Sequence, residues 1–142
     1  MTLSDRAALL AAALWWGSMS VVGFVVVPML FANLPTTALA GGVAARLFSM
    51  QSWLSVGCGV VLLLLLKRGS AAGGSAPARA TVFVVVTGML LALLLEHAVA
   101  PRILARENLR LWHGLGTAIY SAQWLCAGLA LWRLAGRRQD AP

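Results

Sequence analysis

Four long apolar runs, parted by short polar stretches, leave this chain few folds to adopt. A helix needs about 20 mainly apolar residues to cross hydrocarbon, at about 1.5 Å of rise each. The runs Ala7 to Ala32, Ala44 to Leu66, Ala80 to Ala100 and Leu111 to Ala135 all reach that length. Inside a bilayer the backbone must satisfy its own hydrogen bonds, so each run is expected to be a helix. Short links make sequential helices antiparallel neighbours. The expected fold is therefore all-α: an integral membrane four-helix bundle with up-down topology, one domain over residues 1–142.

Composition agrees. Apolar residues make up 61% of the 142 residues and charged residues 11%, where a soluble domain carries about a quarter charged. The mean hydropathy is +0.86. The net charge of +7 is not gathered on a polar face, as nucleic-acid binding would need, but sits between the apolar runs. It reads as a topology signal. Cys58 and Cys126 each fall inside an apolar run and read as small packing residues. The run after Arg6 outlasts the core of a cleavable signal and reads as the first membrane helix.

The boundaries have local causes. Ser4 or Asp5 is expected to cap the first helix. Asn33-Leu34-Pro35-Thr36-Thr37 reads as a turn, and Thr36 or Thr37 as the cap of a helix. The stretch 36–46 is compatible with an interfacial segment or with an early start of the second span. Gly69 to Pro77 is a small-residue loop. Pro28, inside the first run, and Pro101, after the third, are expected to kink or end their helices. Small residues share faces where helices approach: Gly17, Ser20 and Gly23; Ser52, Ser55 and Gly59; Gly116, Thr117 and Tyr120.

Basic residues orient the bundle. Arg6, Lys67, Arg68, Arg79, Arg133, Arg137 and Arg138 fall at one end, and Arg46, Arg102, Arg106 and Arg110 at the other. The excess at the first end favours cytoplasmic termini. Trp112 and Trp132 suit interface anchors, while Trp15, Trp16 and Trp124 lie deeper.

Ionisable groups in or beside spans are costly and are the first candidates for function. Here they are Arg46, Glu96, His97, Arg102 and His113, with Gln51, Thr117, Tyr120 and Gln123 as polar neighbours. Glu96 and His97 come about 16 residues, or about 24 Å, into the third run. His113 opens the fourth run from the same side, and Arg46 and Gln51 lie at a similar depth in the second. These groups are expected to form a polar pocket in the outer leaflet, with Glu96 neutralising Arg46 or Arg102. The alternative is interfacial anchoring, with Arg102, Arg106 and Arg110 as a stripe that meets lipid phosphates. Three ligand chemistries suit a pocket: a small polar or anionic solute, a metal such as copper on His97, His113 and Glu96 with Met29 or Met50, or a haem between His97 and His113. No catalytic triad, carboxylate pair or phosphate loop is visible, so no enzyme is expected.

Trp16-Gly17, then Gly23 to Phe31, Leu34-Pro35, Ala40-Gly41 and Leu47-Phe48, resemble the opening of the transmembrane protein 205-like family. Pro101-Arg102 and Trp112-His113-Gly114 resemble later motifs of that family, and the resemblance covers nearly the whole chain. It implies a four-helix membrane protein without an established reaction, and it draws attention to Pro28, Arg102 and His113. Animal members are linked to platinum-drug resistance and export, which implies solute or metal handling. The compact form, with a short link from Pro101 to His113, implies a bacterial inner-membrane protein. Four short helices enclose little space, so self-association is expected of a transporter this small.

Overall fold

The computed structural model describes residues 2–69 and 76–136. Arg137 and Arg138, and most of the expected Gly69–Pro77 loop, lie outside these residues. The described chain forms four long helices. Helix α1 is made of Leu3–Val21, a π-turn Val22–Val26 and Val27–Asn33; α2 is Thr37–Gly69. Helix α3 is made of Ala76–Leu94, a π-turn Leu95–Val99 and Ala100–Leu104; α4 is Leu109–Gly136.

Each helix packs on two others in the cyclic order α1, α2, α3, α4. This is the up-down bundle expected of the sequence. Segments Leu3–Asn33, Thr37–Lys67 and Ala78–Leu104 are long and apolar enough to cross a membrane. Helix α4 matches them in length at 28 residues but is more polar, with Arg110, His113, Gln123 and Arg133 along it. The chain is a membrane protein whose outer surface is apolar: Phe24, Phe83, Leu90, Leu125 and Trp132 all point outward. Hydrocarbon, not water, is their natural surroundings.

The helix starts follow from capping, with one correction. Thr2, rather than Ser4 or Asp5, caps α1. Its Oγ1 accepts from the Asp5 N–H at 3.2 Å, and the Asp5 carboxylate accepts from the Thr2 N–H at 2.9 Å. This reciprocal pair satisfies two otherwise free donors and starts the helix two or three residues earlier. Thr36 Oγ1 accepts from the Leu39 N–H, so 37–46 belongs to α2 rather than to an interfacial segment.

Neither proline ends its helix. Ahead of Pro28 the Val27 N–H reaches back to the Val22 carbonyl, and ahead of Pro101 the Ala100 N–H reaches back to the Leu95 carbonyl. In each case an i→i−5 turn leads into the proline, and the helix runs on beyond it. Helix α3 then gives way to a tight link in which Arg106 (φ 56°) and Asn108 (φ 32°) are left-handed.

The core is built from Ala8, Ala12, Trp15, Met19, Cys58, Leu62, Val85, Ala127 and Ala130. Trp15 reaches across from α1 to α3, where a Cβ on Gly88 would stand 2.6 Å from its ring. Gly128 makes the same allowance for Trp16, at 2.9 Å. Of the small-residue stripes, Ser52, Ser55 and Gly59 are all buried. Gly23 lies against Tyr120, and Gly116 against Val99, but nothing approaches Gly17 and Thr117 is exposed. Trp16 and Trp124 pack together with ring centroids 5.6 Å apart.

Candidate functional site

The candidate residues separate into two groups, one at the loop end of the bundle and one in its middle. The loop end is the end of Leu34 to Thr36 and Ala105 to Asn108.

At the rim, Arg102 pairs with Glu107 at 3.4 Å and lies over the Trp112 ring, 4.8 Å from its centroid. Both partners stay more than half exposed, so the pair contributes little stability. Arg46, Arg106, Arg110 and His113 are exposed, and none has a side-chain partner among the described residues. The expectation that Glu96 neutralises Arg46 or Arg102 is corrected here. Glu107, five residues along, takes Arg102, and Glu96 instead accepts a 2.6 Å hydrogen bond from the Ser49 hydroxyl of α2. His97 is exposed and turns edge-on to Trp53, with centroids 6.1 Å apart. No ring contact joins His97 and His113, and no group of three His, Cys, Asp or Glu comes together among the described residues. A shallow apolar concavity lined by Leu90, Leu94 and His97 runs along α3 and faces lipid.

In the middle, a polar seam crosses the bundle. Gln51, almost fully buried, donates to Ser18 Oγ of α1 at 3.1 Å and to Ser55 Oγ at 3.4 Å. On the other side of α1, Trp124 Nε1 donates to Ser20 Oγ and Tyr120 Oη to the Met19 carbonyl, both at 2.8 Å. The acceptor hydroxyls of Ser18 and Ser20 pass their own protons to the Trp15 and Trp16 carbonyls. Tyr120 also meets Phe48 across the bundle, edge to face, at 5.2 Å.

Two buried donors beside this seam have no partner. Gln123 Nε2 and Trp15 Nε1 make no hydrogen bond, although their residues are 1% and 0% exposed. Arg133 Nε is likewise unpartnered, but a guanidinium carries four further N–H donors. An unsatisfied N–H in hydrocarbon costs several kcal/mol, about as much as a lost hydrogen bond in an apolar medium. Both free groups are donors, so what completes them is an acceptor: a carbonyl, an anionic oxygen or a water.

Sequence reasoning singled out Gln51, Tyr120, Glu96 and Gln123 but missed Ser18 and Ser49. Their signal was present: each serine lies within three positions of a Trp or Gln on an apolar run.

No curated protein and no solved structure matches the chain. A family model described as a domain of unknown function (DUF4149) matches residues 10–111. That span takes in most of α1, all of α2 and α3 and the first residues of α4. The chain, an α-helical membrane bundle with a polar seam at its centre, belongs to the DUF4149 family.

Proposed function

We propose that the protein binds, and carries across the membrane, a small solute that accepts hydrogen bonds, and that it is not a catalyst. One observation carries this reading: the amide donor of Gln123 is sealed inside a membrane bundle without an acceptor. A solute oxygen on Gln123 Nε2 removes that penalty, and Trp15 Nε1 offers a second donor of the same kind. Arg102, Arg106, Arg110 and His113 lie toward the loop end, with Arg46 about nine residues into α2, and favour solutes with anionic character. The seam residues Gln51 and Tyr120 hold the interior in register, and Glu96 stands between seam and rim.

The likeness of Pro101-Arg102 and Trp112-His113-Gly114 to the transmembrane protein 205-like family supports solute handling as the class. In this proposal the protein lies in a bacterial inner membrane with cytoplasmic termini and its arginine-rich loop end outside. It works as a homo-oligomer, because four helices alone leave little room for passage.

A second reading, a structural subunit without a ligand, draws on the rest of the seam. Gln51, Tyr120 and Trp124 are satisfied by neighbouring helices, as packing alone requires. Thermal unfolding of the detergent-solubilised protein against a panel of small carboxylates, phosphates and amides separates the two. Solute binding requires a saturable rise in Tm that Gln123→Leu removes. If no solute shifts the wild type, the structural reading stands.

A further inference from the structure

The two breaks in the bundle are not independent features. The π-turn of α3 begins 73 positions after that of α1 (22 to 95), and its proline follows at the same distance (28 to 101). Helices α2 and α4 repeat at 72 positions: Thr37 and Leu109 open them, Phe48 and Tyr120 meet across the axis, and Gln51 and Gln123 are both buried. Buried positions 51, 55 and 58 recur as 123, 127 and 130. In the ring of helices α1 lies opposite α3, and α2 opposite α4. The chain is thus two copies of one broken helical hairpin around an axis along the bundle. Where paired spans are interrupted at corresponding positions, bound ions and solutes sit at the interruptions.

Each break leaves a carbonyl without its usual donor. In α1 it belongs to Gly23: its α-helical donor, the Val27 N–H, is turned to Val22, and the next candidate is Pro28, which has none. In α3 it belongs to Glu96: the Ala100 N–H is turned to Leu95, and the next candidate is Pro101. The halves then differ. At Gly23 the Tyr120 ring closes over the break, so near that a Cβ would stand 2.8 Å from its Cε1. At Glu96 the break instead carries a carboxylate, with the Ser49 hydroxyl 2.6 Å away. No Arg, Lys or His among the described residues is paired with that carboxylate, since Arg102 pairs with Glu107. It lies about eight residues, or about 12 Å, inside the end of α3.

We propose that the Glu96 carboxylate, the Glu96 backbone carbonyl and the Ser49 hydroxyl form a site for a small monovalent cation of sodium's size. All the donors are oxygens, which suits a hard cation and disfavours a soft metal. The single carboxylate balances one positive charge. The cation answers both needs of the break at once, an unpaired carboxylate in a low-dielectric setting and a carbonyl without a donor. Gly23, the matching position in the first half, lacks the carboxylate and is closed by Tyr120, so the site exists once per chain.

The test is thermal unfolding of the full chain in detergent, with sodium chloride titrated against choline chloride at constant ionic strength and pH. Sodium is expected to raise Tm saturably by several degrees. Glu96→Gln is expected to abolish the rise, and Ser49→Ala to raise the half-saturating sodium concentration at least tenfold. Glu107→Gln, at the rim, is expected to keep the wild-type response. If Glu96→Gln does not fold, Ser49→Ala and Pro101→Ala, which returns an N–H to the break, carry the test. Equal Tm in sodium and choline for the wild type, a sodium response kept by Glu96→Gln, or a response to pH alone overturns the proposal. Gln123→Leu leaves the sodium response intact, so this site and the solute reading fail separately.

Discussion

The Tyr120 hydroxyl donates to the Met19 carbonyl at 2.8 Å, joining residues 101 positions apart. The bond ties α4 to α1 just ahead of the α1 break. Among helices in lipid such bonds do not compete with bulk water, yet each contributes only about 1 kcal/mol, because unfolded spans find other partners. Tyr120→Phe is therefore expected to lower unfolding stability in detergent by about 1 kcal/mol while the helical circular dichroism is kept. A loss of fold would mean that the hydroxyl does more than bridge two helices.

The Trp124 to Ser20 bond offers a cleaner measure, because both side chains can be removed. Trp124→Phe and Ser20→Ala are expected to be non-additive by about 0.6 kcal/mol in a double-mutant cycle. Additive losses would show that the two groups do not share a bond.

Glycines that admit a neighbour should be distinguishable from glycines that do not. Gly88→Ala would drive a Cβ into the buried Trp15 ring, and Gly128→Ala into Trp16. Each is expected to cost about 1–3 kcal/mol by overpacking. Gly17→Ala meets nothing within 4 Å and is expected to be neutral or stabilising by up to about 1 kcal/mol, from helix propensity. Chemical unfolding of the three variants side by side decides the matter.

Orientation is checked by thiol labelling. With Cys58 and Cys126 replaced by Ala, a cysteine at Arg106 is expected to react with a membrane-impermeant reagent in intact cells. A cysteine at Arg6 is expected to react only after permeabilisation. The reverse pattern would place the loop end in the cytoplasm.

Much of the bundle was legible in the sequence because hydrocarbon imposes one simple rule, a long apolar run for every span. The turn at Leu34-Pro35-Thr36 was readable for the same reason: proline and a hydroxyl cap act locally. The partners of the charged residues were not legible. Glu96 and Arg102 share a helix, but run length alone gives neither the azimuth nor the partner of a side chain. The π-turn Leu95–Val99 rotates the remainder of α3, and Glu107 in the adjoining link reaches Arg102. His97 and His113 likewise lie toward one end of the bundle, but His97 turns to Trp53. The equal spacing of Pro28 and Pro101 was visible all along, and acquires meaning only once each is seen to follow a π-turn.

The central claim is that Gln123 is held in the membrane interior with its donor unmet, while the donor of its counterpart Gln51 is engaged by two serine hydroxyls. The direct measurement is the unfolding free energy of ligand-free Gln123→Leu and Gln51→Leu in one detergent. Gln51→Leu is expected to destabilise by about 1–3 kcal/mol, because it leaves Ser18 and Ser55 without their donor. Gln123→Leu, which removes an unmet amide donor, is expected to be neutral or stabilising by about 1–2 kcal/mol. A loss at Gln123 equal to that at Gln51 would show that its amide already has a partner, and would contradict the account.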